Sequence, residues 1–276
     1  MVDLHTHSTQ SDGSLTPARL ISAAKETGLI AVALTDHDTL SGLPEAEKAA
    51  EEAGIRFIPG IELNITYSSG EFHMLGLGIR QWQGSSLEQT LSCLQQDRTR
   101  RNHAILDAMR KDGINAEYSE LQALAGGKII GRPHVARLLV VKKIVKNTSQ
   151  AFQRYLKKGM PWYVPRKGIS VEEAAGLIHA AGGLAVIAHP LSLYLSWGAL
   201  ARSVKTCRDQ GVDGIEAWHS NASPRECTRL EGIARDLGML VSAGSDFHGQ
   251  SIPGRRLGCT CEDGRPIEDS FAAPFC

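Results

Sequence analysis

The chain has 276 residues, 42% of them hydrophobic and 22% charged, with 30 Lys and Arg against 30 Asp and Glu. That length fits one large domain, or one domain with a sizeable insert. No apolar run is long enough to cross a membrane, and Met1-Val2-Asp3-Leu4-His5 lacks the basic stretch and apolar core of a signal peptide, so a cytoplasmic location is expected.

In chain order, Val2-Asp3-Leu4 reads as a short strand that runs into a polar loop. Thr16-Pro17 opens a helix that Gly28 stops. Residues 30–34 form a strand with Thr35-Asp36-His37-Asp38 at its end. Residues 44–53 form a helix closed by Gly54. Phe57-Ile58-Pro59-Gly60-Ile61-Glu62 reads as a strand or strand end, and 71–79 as another short strand. From about Leu87 the character changes. A basic helix runs to Lys111, and shorter helical pieces follow at 135–141 and 149–158 without strand alternation. Residues 95–164 are therefore expected to form a mainly helical insertion, with 1–94 and 165–276 forming the main domain.

The alternation resumes with a helix at 171–181, then an apolar strand at 184–188 ending in His189-Pro190. A helix at about 197–210 precedes the strand Gly214-Ile215-Glu216-Ala217, which ends at Trp218-His219. A helix at 224–237 leads to the strand at 239–243 and to Gly244-Ser245-Asp246-Phe247-His248. Repeated strand–helix units imply a parallel sheet, closed or open. The tail after Gly258 reads as short and polar. Cys93, Cys207, Cys227, Cys259, Cys261 and Cys276 form no Cys-x-x-Cys pair and no disulfide framework, so reduced thiols are expected.

The zero net charge is unevenly distributed. Residues 95–170 carry 16 Lys and Arg against 5 Asp and Glu. A basic segment beside an acidic body that can bind metal suggests an anionic substrate held between metals and Lys or Arg.

Histidines and carboxylates recur at the strand ends. His5-x-His7 follows the first strand, His37 the second and Glu62 the third. His73 lies in the fourth, and His189, His219 and Asp246-x-His248 follow later strands. In a parallel α/β barrel such ends gather at one face. Imidazole and carboxylate suit Mn, Fe or Zn. Alternate side chains of an extended His-x-His share a face, and a carboxylate can bridge two ions. Paired metals suit phosphoryl transfer. Asp36 and Asp38 are read as orienting ligands or capping the next helix. His219 is a candidate hydrogen-bond or proton donor to a scissile phosphate, with supporting or surface roles left open. His103 and His179 fall on helices and carry no assigned function.

Asp3-Leu4-His5-Thr6-His7-Ser8, Thr35-Asp36-His37-Asp38, Gly60-Ile61-Glu62, Ala188-His189-Pro190 and Gly244-Ser245-Asp246-Phe247-His248 resemble, in order, the motifs of the PHP (polymerase and histidinol phosphatase) family. The resemblance implies a distorted (β/α)7 TIM-like barrel with a trinuclear metal site. By motif, His5, His7, Glu62 and Asp246 would hold one metal. Glu62 would bridge to a second, completed by His73 and His189. Asp12, His37 and His248 would hold the third, with Asp12 standing where some relatives carry His. Gly131-Arg132-Pro133-His134-Val135-Ala136-Arg137, Ala151-Phe152 with Tyr155-Leu156, and Tyr163-Val164-Pro165 are similar to the stand-alone members. These include nucleoside 3′,5′-bisphosphate phosphatases and 5′→3′ exoribonucleases acting on short RNA. That likeness implies that Arg132 and His134 face the substrate, with Lys167 a further candidate. Arg132 is suited to bidentate phosphate bonds.

The expected function is thus hydrolysis of a phosphomonoester of a small nucleotide, by in-line attack of water activated at two or three divalent ions, Mn before Fe or Zn. A nucleoside 3′,5′-bisphosphate losing its 3′-phosphate, or short RNA trimmed from its 5′ end, is the expected substrate. Neither double-stranded DNA nor a membrane is an expected partner. One alternative is a histidinol phosphatase, whose aminated, singly phosphorylated substrate fits a basic insertion less well. Another is a non-catalytic PHP module like those attached to DNA polymerases. All the expected ligands are present here and no polymerase is attached, which disfavours that reading.

Overall fold

A computed structural model describes residues 1–125, 130–165 and 168–275. The chain divides into two compact units, Met1–Thr90 with Gly168–Cys276, and Leu91–Lys167.

The first unit is built on seven strands in sequential order: β1 (Val2–Asp3), β2 (Ala31–Leu34), β3 (Arg56–Ile65), β4 (Phe72–Leu77), β5 (Leu184–Ile187), β6 (Gly214–His219) and β7 (Leu240–Gly244). Leu4 N–H donates to the Ala243 carbonyl at 3.3 Å, and Thr6 bridges Phe247 in parallel, so the sheet is nearly closed into a barrel. Between the strands run α1 (Pro17–Glu26), α2 (Leu43–Ala53), α7 (Val171–Ala180), α8 (Trp197–Asp209) and α9 (Pro224–Asp236), numbered with the four helices of the second unit described below. Their starts carry the expected chemistry. The Thr16 side chain accepts from Arg19 N–H ahead of Pro17, and Ser223 and Glu226 cap α9 reciprocally.

One strand departs from the expected parallel pattern. β4 runs antiparallel to both β3 and β5. The β3–β4 connection contains no helix, so the chain reverses as a hairpin instead of crossing over. Reversal puts the beginning of β4 level with the ends of its neighbours, with His73 opposite Asn64.

The barrel core is small and branched: Val2, Leu4, Ala31, Ala33, Ile58, Leu75, Leu77, Val186 and Ala243. The tail is less polar in its role than in its composition. The hairpin β8 (Cys259–Thr260) and β9 (Arg265–Pro266) leads to a 3₁₀ segment, Asp269–Phe275. Ile267, Ala272 and Phe275 are buried in the same barrel core, and Val2 N–H donates to the Ile267 carbonyl at 3.2 Å.

The boundary at Thr90 and Leu91 falls within α3 (Ser86–Lys111). The second unit also contains α4 (Tyr118–Ala125), α5 (Arg132–Val141) and α6 (Thr148–Ala151), and a π-helical turn at Phe152–Leu156. The helix expected at 149–158 is thus a short α-helix that widens into this turn and ends at Leu156. Trp162 is buried, stacks on Tyr155 at 4.0 Å between ring centres, and donates its indole N–H to Asp112 at 2.7 Å. Ile105, Leu106, Met109, Val135, Leu139 and Leu156 pack with it into a separate core. Among the described residues, no helix is long and apolar enough to cross a membrane.

Candidate metal centre

All nine expected ligands come together at one end of the barrel. His5 and His7 follow β1, His37 follows β2, Glu62 sits in β3, and His189 follows β5. His73 lies near the start of the reversed β4, and Asp246 and His248 lie just past β7. Asp12 reaches the cluster from the loop after β1, 3.1 Å from His248 Nε2. His5, His7 and Glu62 are fully buried.

Glu62 is the hub. Its Oε1 lies 2.9 Å from His73 Nδ1 and 2.9 Å from His189 Nε2. Its Oε2 lies 3.3 Å from both His5 Nε2 and His7 Nε2, and 3.0 Å from His37 Nδ1. The two oxygens therefore face two neighbouring sets of nitrogens. Among the described residues, four groups have ligand atoms close enough to share an ion: His7, Asp12, His37 and His248; His5, His189 and Asp246; His5, His7 and Glu62; and His37, Glu62 and His73. The family-based partition puts Asp12, His37 and His248 at one ion, and the first group holds that trio with His7 added.

Two observations fit these residues to divalent cations. Among the described residues, Glu62 Oε2 and His37 Nδ1 are buried with no hydrogen-bond partner, although they lie 3.0 Å apart. A buried carboxylate oxygen without a donor is costly unless a cation takes its charge. In addition, His5 Nε2 and His7 Nε2 face each other at 3.1 Å, so ring nitrogens converge on one point.

The electrostatics agree. Burial works against charge on the His5 ring, but Glu216, Asp246 and Glu62 overcome it and hold its pKa well above the imidazole range. The same contest pushes His7 up to about 10, because the Asp246 and Glu62 carboxylates beside its ring favour the charged form over the cost of burial. Burial raises the Glu62 and Asp246 carboxyls, and the surrounding histidines bring both well below the usual range. A cluster this attractive to protons has the negative potential that also attracts a divalent cation.

Several groups aim the ligands. Glu216, buried in β6, accepts from His5 Nδ1 at 2.9 Å and from His189 N–H at 2.7 Å. His248 Nδ1 donates to the Asp246 carbonyl at 2.8 Å, which leaves Nε2 as the lone-pair nitrogen. His219 Nε2 donates to Asp246 Oδ2 at 3.2 Å, while its Nδ1 accepts from Asn221 N–H. Arg255 Nη1 lies 2.5 Å from the same Oδ2. Asp36 accepts from Ser8 and Ser11, and Asp38 accepts from Asn64, so both brace the loops around His37. Gly244 is required by close approach: a Cβ there would stand 2.3 Å from His5 Cβ and 2.7 Å from Glu216 Oε1. Asp38, His189 and Asp246 hold φ values of 50°, 27° and 53°, a local strain typical of functional positions.

Glu216, Gly244 and Arg255 were not among the residues singled out from sequence. A charged residue alternating with Ile215 and Ala217 in an apolar strand was the available signal for Glu216. A cavity of about 410 Å³ opens over the cluster, lined by Asp12, His73, His189, His219 and Arg255 among others.

The remaining candidates lie in the second unit. Arg132 begins α5, donates from Nη1 to the Leu156 carbonyl at 3.2 Å, and sits over the Phe152 and Tyr163 rings. His134 Nδ1 accepts from Gly131 N–H at 3.1 Å. Lys167 lies outside the described residues. His103 stacks on Tyr118, and His179 pairs with Asp213 at 2.7 Å.

Comparison with known proteins places this geometry. The chain is 37% identical over 248 residues to a 5′-3′ exoribonuclease of Haemophilus influenzae, covering 89% of each chain. It is 35% identical over 267 residues to a 3′,5′-nucleoside bisphosphate phosphatase of Chromobacterium violaceum, covering 96% of this chain and 93% of that protein. A solved structure from Bifidobacterium adolescentis, described as a metal-dependent phosphoesterase, superposes with a TM-score of 0.77 at 29% identity, covering 99% of this chain and 94% of that one. The family model for the PHP domain matches residues 3–169, and the chain belongs to the PHP domain family.

Proposed function

We propose that this phosphoester hydrolase removes the 3′-phosphate from nucleoside 3′,5′-bisphosphates, and that trimming of short RNA from its 5′ end is a related activity of the same site. The observation that carries the reading is Glu62, whose two oxygens face two adjoining sets of imidazole nitrogens. That arrangement suits two or three divalent ions, with Mn the first assignment and Fe or Zn the alternatives; a donor set of histidine and carboxylate without thiolate accepts all three. His5, His7, Asp12, His37, Glu62, His73, His189, Asp246 and His248 would hold them. When bound, the ions would supply an activated water and neutralise charge on the phosphoryl oxygens.

The chain's own residues do the rest. Glu216 holds His5 with Nε2 inward. His219 stands in the cavity wall, where its Nε2–H holds Asp246 and is the candidate hydrogen-bond or proton donor to a bound phosphoryl group. Residues 95–164 are assigned as the helical, basic segment that receives the substrate. In it, Arg132 and His134 take the phosphate that is not cleaved, with Lys167 a further candidate. The names of the Haemophilus and Chromobacterium relatives support this substrate class, as does the basic excess of residues 95–170. Five described cysteines are free thiols, in keeping with a reducing cytoplasm.

The test is phosphate release from Mn²⁺-supplemented protein on a panel of 3′,5′-bisphosphates, mononucleotides, histidinol phosphate and 5′-phosphorylated oligoribonucleotides. Bisphosphates should give the highest kcat/KM. Preference for histidinol phosphate would replace the reading, and no hydrolysis of any member would reject it.

A further inference from the structure

Arg255 stands apart from the other groups at the cavity. Among the described residues it is the only Lys or Arg that lines the 410 Å³ space, beside Asp12, Glu62, Glu71, Glu216 and Asp246. Its side chain is 13% exposed. All of its polar contacts are made by one nitrogen. Nη1 lies 2.5 Å from Asp246 Oδ2 and 2.8 Å from the Asp246 carbonyl, the same carbonyl that accepts from His248 Nδ1. Nε and Nη2 have no partner among the described residues.

That geometry differs from an arginine serving only as a counter-ion. A guanidinium pairs best with a carboxylate through two parallel N–H bonds. Here the contact is end-on, through a single corner, and the Nε–Nη2 edge is left over. Asp246 is divided in the same sense. Its Oδ2 is taken by Arg255 and His219, whereas Oδ1 faces the rings of His5 and His7 at 3.5 and 3.1 Å. One end of Arg255 thus fixes the outer oxygen of a candidate metal-binding carboxylate, and its other edge is a planar pair of donors with no partner among the described residues. An oxyanion with two oxygens on one face matches such an edge, and a phosphoryl group is the oxyanion this pocket handles.

We infer that Arg255 contacts the scissile phosphoryl group directly: Nη1 anchors Asp246, and the Nε–Nη2 edge receives two phosphoryl oxygens. The inference rests on the phosphoester-hydrolase reading for the identity of the anion. It adds a cation from the barrel itself, separate from Arg132 in the helical unit. Charge growing on the phosphoryl oxygens during in-line displacement would be met by a donor pair already held in place.

The probe is inorganic phosphate. Its binding to Mn²⁺-loaded protein is measured by calorimetry, with metal content checked by elemental analysis, for the wild type, Arg255→Ala and Arg255→Lys. Arg255→Ala should bind phosphate roughly ten- to a hundredfold more weakly per fully loaded site. Arg255→Lys should regain the anchor and load metal as the wild type does. It should remain about tenfold weaker toward phosphate, because an ammonium group cannot reproduce the planar edge. An anchoring role alone predicts otherwise: lysine would restore both properties in full, and that outcome overturns the inference. So does unchanged phosphate affinity in the lysine variant should the alanine variant fail to load or fold. Because binding is read without turnover, a wild type that binds phosphate through Arg255 yet hydrolyses nothing would uphold the contact and reject the hydrolase reading.

Discussion

Glu216→Gln tests how the barrel controls its ligands, because it changes one atom of a buried side chain. In the native protein the carboxylate accepts twice, from His5 Nδ1 at 2.9 Å and from His189 N–H at 2.7 Å. A carboxamide has one acceptor and one donor end. The backbone N–H of His189 can only donate, so the amide oxygen must turn toward it. The amide NH₂ then faces His5 Nδ1, and the ring can satisfy it only by carrying its proton on Nε2. Nε2 is the atom that faces His7, Glu62 and Asp246, so its lone pair would be lost to an ion held between them. Losing a charge-assisted hydrogen bond at a buried site costs about 1.5–3 kcal/mol. The apparent metal affinity should therefore fall roughly ten- to over a hundredfold, the range seen when partners of metal-ligating histidines are removed. The fold should persist, since the substitution preserves volume. Chelator competition measures the affinity, and nitrogen NMR of the His5 ring reads the tautomer. Metal affinity within twofold of the wild type, with the proton still on Nδ1, would refute the reasoning.

Arg132→Ala should lower kcat/KM on a bisphosphate roughly ten- to a hundredfold more than on a matched monophosphate, at unchanged metal content; equal losses would put Arg132 at the scissile phosphate instead. Metal affinity should rise with pH between about pH 6 and 9, by about tenfold per unit for each proton displaced. The sign follows from His7, whose ring holds its proton up to about 10, so that proton and metal compete across this window and the proton loses ground as pH rises. Affinity independent of pH there would contradict the shift. Gly244→Ala would force a methyl group to within 2.3 Å of His5 Cβ; metal affinity should drop, and unfolding should be easier by about 1–3 kcal/mol. Trp162→Ala should destabilise the helical unit by about 3–5 kcal/mol, read by hydrogen exchange in α3 and α5, since Trp162 packs in their shared core.

The barrel was legible where hydrophobic runs end in polar, ligand-rich loops. Residues 31–34, 184–187 and 240–244 combine small or β-branched side chains with a sharp break, and each break carries a candidate ligand. Strand direction was not legible. Phe72–Leu77 reads the same in either sense, and what decides its reversal is the absence of a helix between it and β3. The role of the tail is hidden in the sequence for a related reason. Ile267, Ala272 and Phe275 are separated by charged residues and a proline, with no period of 2 or 3.6 to link them. Their burial depends on the open end of a barrel that the rest of the chain builds.

The candidate ligands were legible because each stands in a short local motif, such as His5-x-His7 or Asp246-x-His248. The groups that aim them were not, because their partners are distant in sequence. His5 is held by Glu216, 211 residues away, and Asp3 ties β1 to Ser245, 242 residues away, through bonds of 3.0 and 2.6 Å. The division of labour is visible atom by atom. His5 turns Nε2 inward because Nδ1 is taken by Glu216. His248 keeps Nε2 as its lone-pair nitrogen because Nδ1 donates to the Asp246 carbonyl. Asp246 presents Oδ1 because Oδ2 is taken by His219 and Arg255. A motif specifies which side chains can bind a cation, but the barrel's closure decides which atom of each one points to it. That second choice fixes tautomers and charge, and it is made by Glu216, His219 and Arg255, whose positions a linear reading of this chain does not join to the ligands.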